Sequence, residues 1–89
     1  MNTKKRKALK NVIKKLEALD KLRQEVYEML EEVRDKETEA LENMPESLQE
    51  SERGRQMLEY IDSMDSTMDG LDIMDVQAAV DQLQEIVDD

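Results

Sequence analysis

The chain has 89 residues, with 23 Asp/Glu against 13 Lys/Arg for a net charge of -10, and it contains neither Cys nor His. A chain this short forms one domain at most, with a small core and no disulfide, and it lacks the thiolate and imidazole groups that usually hold zinc or serve as nucleophile and general base. No apolar run approaches a membrane span, and residues 1–7 do not lead into the apolar stretch of a signal peptide, so a protein of the cytoplasm is expected.

Charge is graded along the chain. Residues 1–23 hold nine bases and two acids, residues 24–55 four bases and eleven acids, and residues 56–89 no base and ten acids. Tyr27 and Tyr60 are the only aromatics, so any core is built from Leu, Ile, Val, Met and Ala. High charge with few aromatics also fits disorder, and apolar periodicity decides between the two.

From Leu9 onward Leu9, Val12, Leu16, Leu19, Val26, Leu30, Val33, Ala40 and Met44 follow the three and four steps of a heptad seam. With Leu9 at position a, Arg23 and Glu37 are polar a residues, while Val12, Leu19, Val26, Val33 and Ala40 fill d. Ile13, Leu22, Tyr27 and Met29 widen the stripe beyond what one partner helix covers. With no Gly or Pro before Pro45, a first helix is expected over about residues 4–42. Pro45 stops it, because the residue before a proline avoids the α region and proline has no N–H to donate.

Ser47-x-x-Glu50 has the spacing of a capping box, so the corner is placed at 43–50 and a second helix at about 51–87. Gly54 is either a first-turn glycine or the break between a short turn and the helix. The second seam runs Met57, Ile61, Met64, Met68, Leu71 and resumes in a shifted phase as Ile73, Val76, Val80, Leu83, Val87. The slip falls at Asp69 and Gly70, which predicts either a kink or a stutter near 69–70.

Two helices of similar length joined by a corner fold back antiparallel. Pairing Leu9 with Val87, Val12 with Leu83, Leu16 with Val80, Leu19 with Val76, Arg23 with Ile73 and Val26 with Leu71 keeps one register. It also lays the basic segment beside the acidic residues of 72–89. The expected fold is thus all-α, a long antiparallel helical hairpin resembling a coiled coil. Its flanking Ile13, Leu22, Met29, Met57 and Met74 call for a homodimer, a four-helix bundle.

Chemistry-bearing patterns are few. Glu28-x-x-Glu31-Glu32 with Glu59-x-x-Asp62 is similar to the motifs that hold magnesium in all-α nucleoside triphosphate pyrophosphohydrolases, but Glu28, Glu31 and Glu32 fall at f, b and c, facing solvent. Residues 65–70 imitate the start of a calcium loop whose twelfth position, Val76, has no carboxylate. No catalytic residue, metal or cofactor is assigned, and an enzyme is not expected. Lys4, Lys5, Arg6, Lys7, Lys10, Lys14 and Lys15 could meet phosphates, yet without interleaved aromatics and at this net charge direct nucleic-acid binding is not expected. The acidic face Asp62, Asp65, Asp69, Asp72 supports an alternative, a DNA-mimic inhibitor of a nuclease or antiviral defence protein. The corner tip, with Gln49, Glu50, Glu52 and Arg53, is the first candidate for binding a protein partner.

Residues 43–54 (NMPESLQESERG) resemble a segment of small acidic two-helix proteins encoded by Firmicutes phages and prophages, where it lies between a Lys-rich and an Asp/Glu-rich helix. The resemblance implies a phage accessory protein that binds another protein without catalysis. It supplies no site residues.

Overall fold

The computed structural model describes residues 1–89 and is all-α, a helical hairpin in the order α1 (Thr3–Glu42), α2 (Glu46–Gln49), α3 (Glu52–Asp72) and α4 (Val76–Asp88). Two compact units can be distinguished within it, residues 1–25 with 74–89, and residues 26–73.

In the first unit, the start of α1 packs against α4. Asn2 caps α1, its Oδ1 accepting the Lys5 N–H at 2.8 Å. Ile13 is 5% exposed and shares a core with Val80 and Val87, onto which Leu9, Leu16 and Leu83 pack. The expected pairing of Leu9 with Val87 and Leu16 with Val80 agrees with this cluster. Lys4, Lys5 and Arg6 stand at a helix start and Asp88 at a helix end, both unfavourable to the helix dipoles. Arg6 relieves the mismatch: its Nη1 donates to the Val87 carbonyl at 3.0 Å, placing a cation on an otherwise open acceptor of the last turn of α4.

In the second unit, α1 ends at Glu42 and the chain turns through Pro45. The Pro45 carbonyl accepts the N–H groups of Leu48 and Gln49 at 2.9 and 3.0 Å, closing the single turn of α2. The Ser47–Glu50 capping box does not form. The residue at the N-cap of α2 is Pro45, with no side-chain cap, and the helix that follows is capped by Ser51, whose Oγ accepts the Gly54 N–H at 3.4 Å and donates to the Leu48 carbonyl. Ser47 is held inside α2, so its hydroxyl is not at a helix start. Gly54 is a first-turn residue of α3, and a Cβ there would lie 2.1 Å from the Gln49 carbonyl oxygen. Its φ is not positive, so the glycine is required by close backbone approach. Met68, 2% exposed, is the most buried apolar side chain, with Tyr27, Leu30, Leu41, Met57, Ile61, Met64 and Leu71 half-buried.

Two further expectations need correction. The interruption expected at 69–70 lies at 73–75: α3 runs through Gly70 to Asp72, and α4 starts after Asp75, whose Oδ1 accepts the Ala78 N–H at 3.0 Å. A lone glycine costs only about 1 kcal/mol in a helix interior, which a 21-residue helix tolerates, whereas a capping Asp offers the backbone a fresh start.

The second concerns the inward column of α1. Positions d were expected in the seam with a, yet Val12, Leu19, Val26, Val33 and Ala40 are exposed. The inward column is instead a with e, namely Leu9, Ile13, Leu16, Asp20, Arg23, Tyr27, Leu30, Arg34, Glu37 and Leu41, each buried or half-buried. Hence the expected pairings of Val12, Leu19 and Val26 do not place those side chains in a core. Ile73, expected opposite Arg23, is 81% exposed in the break.

Candidate interaction surfaces

Of the corner residues, half-buried Gln49 has its amide nitrogen engaged within the chain. Its Nε2 donates to the Met44 carbonyl at 2.8 Å and to the Glu42 carbonyl at 3.4 Å, tying α2 to the end of α1. Glu50, Glu52 and Arg53 are exposed. The Glu50 carbonyl accepts Nε and Nη2 of Arg55 at 3.3 and 3.2 Å, leaving the Glu50 carboxylate in solvent. A shallow depression on the outside of α3 is lined by Glu52, Arg53, Arg55, Gln56 and Glu59, so charges of both signs lie together beside the corner.

The acidic face is less uniform than its spacing suggests. Asp62, Asp69 and Asp72 are exposed, but Asp65 is half-buried and accepts Nη1 of Arg34 at 2.8 Å. Arg34 also contacts Asp35 at 2.9 Å, and the hydrogen bonds to Asp65, then Asp35, hold its guanidinium above the ordinary arginine value and firmly charged. Arg34 therefore neutralises the middle of the row, and no sequence rule for helix faces would have found that pairing, since it depends on which column of α1 faces α3. A second polar contact sits in the inward column, where Asp20 accepts Nε of Arg23 at 2.9 Å and the Gln24 amide at 3.0 Å.

The acidic motifs weighed for magnesium do not converge. Glu28, Glu32, Glu59 and Asp62 are exposed, and no group of three or more His, Cys, Asp or Glu side chains is placed to hold a metal ion. The basic residues at the start of α1 line an open groove on one helix, formed by Thr3, Arg6, Lys7, Lys10, Asn11 and Lys14. No helix is long and apolar enough to cross a membrane.

A row of exposed apolar side chains runs along α1. Val12, Leu19 and Leu22 in the first unit, and Val26, Met29 and Val33 in the second, are all exposed, Leu22 to 59% and Met29 to 67%. They occupy d and g of the heptad count in one uninterrupted helix, with Lys15 and Lys36 also in g and Ala40 in d. Heptad counting finds the d column without fixing its direction, and Leu22 and Met29, flanking it in the sequence, are the signal of a second apolar column. Further exposed apolar side chains are Leu58 and Tyr60 on α3, and Ile73 and Met74 in the break. No protein-family model matches the chain, and no curated protein and no solved structure matches it either.

Proposed function

We propose that the chain is a non-enzymatic helical interaction module, a phage or prophage accessory protein of the bacterial cytoplasm that dimerises and binds a protein partner. The observation that carries this reading is the row of six exposed apolar side chains at heptad spacing on α1, since soluble monomers rarely leave such a contiguous apolar surface uncovered. The exposed Glu50, Glu52 and Arg53 beside the corner supply a polar, mixed-charge surface for the partner, on a rigid turn braced by Gln49 and by the close packing of Gly54. Gln49 contributes by holding that surface in shape.

The alternative, an acidic inhibitor imitating nucleic acid, draws support from Asp62, Asp69 and Asp72 but is weakened at Asp65, whose carboxylate is already engaged by Arg34. The two readings separate in one experiment. Tagged protein is presented to a bacterial lysate and the retained partner is challenged with duplex DNA and with high salt. Retention through both challenges, lost when Glu50, Glu52 and Arg53 are reversed in charge, supports the interaction module. Release by duplex DNA favours the mimic, and a chain that retains no protein sinks both.

A further inference from the structure

Along the middle of α1 the usual allocation of residues is inverted. From Asp20 to Glu37 the inward column reads Asp20, Arg23, Tyr27, Leu30, Arg34, Glu37, four of six charged, whereas the outward column from Leu19 to Val33 reads Leu19, Leu22, Val26, Met29, Val33, all apolar. A lone hairpin would turn the more apolar column toward its neighbour. We infer that this outward column is the seam of an antiparallel pairing between α1 and α1 of a second copy of the chain, an assignment that rests on the interaction-module reading and names the surface and orientation of its self-association.

Charge selects both the occupant and the direction. Residues 3–23 of α1 hold nine bases and two acids, while residues 24–42 hold two bases and eight acids. Antiparallel pairing sets each basic half beside the acidic half of its mate, twice over by symmetry. Parallel pairing would set like beside like and stack Lys15 on Lys15 and Lys36 on Lys36 in the seam itself. In the antiparallel arrangement Lys15 comes level with Met29 and Leu30 of the second copy, with Glu31 and Glu32 next along the helix, so the lysine stem covers apolar surface while its ammonium finds an acid. The stripe from Val12 to Val33 is about 32 Å long at 1.5 Å per residue, so Val12 of one copy lies at the level of Val33 of the other and far from its own equivalent.

Sedimentation equilibrium and cysteine cross-linking test the assignment, the chain having no cysteine of its own. The wild type is expected to be a dimer at micromolar concentration. Leu22→Glu places one carboxylate at each of two symmetric seam positions and should weaken the dimer by about a hundredfold or more. Helical circular dichroism should persist, because Leu22 is exposed within each chain. An equimolar mixture of V12C and V33C should form a disulfide-linked heterodimer while neither variant links to itself. A V12C homodimer, a wild-type monomer, or a Leu22→Glu dimer as tight as the wild type would each overturn the pairing. A monomer that still retains a protein partner overturns this pairing alone and leaves the interaction-module reading standing. A dimer of the expected orientation that retains no partner upholds the pairing and removes the other.

Discussion

The two glycines offer the same substitution in opposite surroundings. At Gly54 an added methyl would meet the Gln49 carbonyl oxygen at 2.1 Å, the Gln49 carbonyl carbon at 2.6 Å and the Leu48 carbonyl oxygen at 2.7 Å. All three are backbone atoms, so no rotamer change relieves the clash, and α2 must shift away from α3. That shift would disturb the Ser51 cap and the Gln49 brace, both formed at the same corner. Overpacking of this kind costs about 1–3 kcal/mol, against at most about 1 kcal/mol gained from alanine's helix propensity and the smaller entropy of the unfolded chain. At Gly70 nothing lies within 4 Å and the residue is exposed inside α3, so only the favourable contribution remains. Gly54→Ala should therefore lose about 1–2 kcal/mol and Gly70→Ala should gain about 0.5–1 kcal/mol. Urea unfolding at fixed protein concentration reads both, and amide exchange at Gly54 and Arg55 shows whether the first loss is confined to the corner. A Gly54→Ala protein that matches the wild type in midpoint and in corner exchange would refute the close-approach account.

Further substitutions at four positions examine the hairpin's ends and core. Asp75→Ala should cost about 1 kcal/mol by removing the cap of α4, with Asp75→Asn keeping most of the stability because it keeps an acceptor; urea midpoints compare them. Arg6→Met should cost about 1 kcal/mol through loss of the cation at the Val87 carbonyl, detected as faster amide exchange in the last turn of α4. Ile13→Ala should cost about 2–4 kcal/mol, while Val12→Ala, compared in a Leu22→Glu background to remove any effect of dimerisation, should stay within about 0.5 kcal/mol. Equal losses at the two positions would contradict the a and e column as the inward one.

Heptad spacing made the helical hairpin legible, because three and four steps over nearly forty residues admit no strand. Direction was another matter. Columns one residue apart, such as Val12 with Leu19 and Ile13 with Asp20, share the same period, and the more apolar of them is the one left outside. The phase slip between Leu71 and Ile73 is visible in the spacing. Its cause is hidden in the sequence because Gly70 is the stronger local signal, although Asp75 holds the cap. At the corner the S-x-x-E template selected Ser47, whereas the working cap is Ser51 followed by Gly54, a pair the template passes over because glycine there answers a tertiary approach. The Arg34 link to Asp65, which breaks the acidic row, likewise needed the column direction before it could be found.

The charged residues of the inward column explain why the hairpin accepts a poorer apolar seam than the one it leaves outside. Asp20 with Arg23, and Arg34 with Asp65, are half-buried pairs whose contribution to stability is small because desolvation offsets much of the attraction. What the second pair, the one between helices, provides is discrimination. A slip of one turn along α1 would part Arg34 from Asp65 and leave the guanidinium without its interhelical partner. The strongly apolar column has no such register device within the chain, and the opposed charges of the two halves of α1 supply one only when two copies meet head to tail. On the proposed pairing, folding and assembly use adjacent columns of one helix, the first specified by the Arg34–Asp65 ion pair and the second stabilised by apolar contact. A substitution in the outward column should accordingly change association while leaving helicity in place, and one at Arg34 should leave association in place while speeding amide exchange in α3 around Asp65.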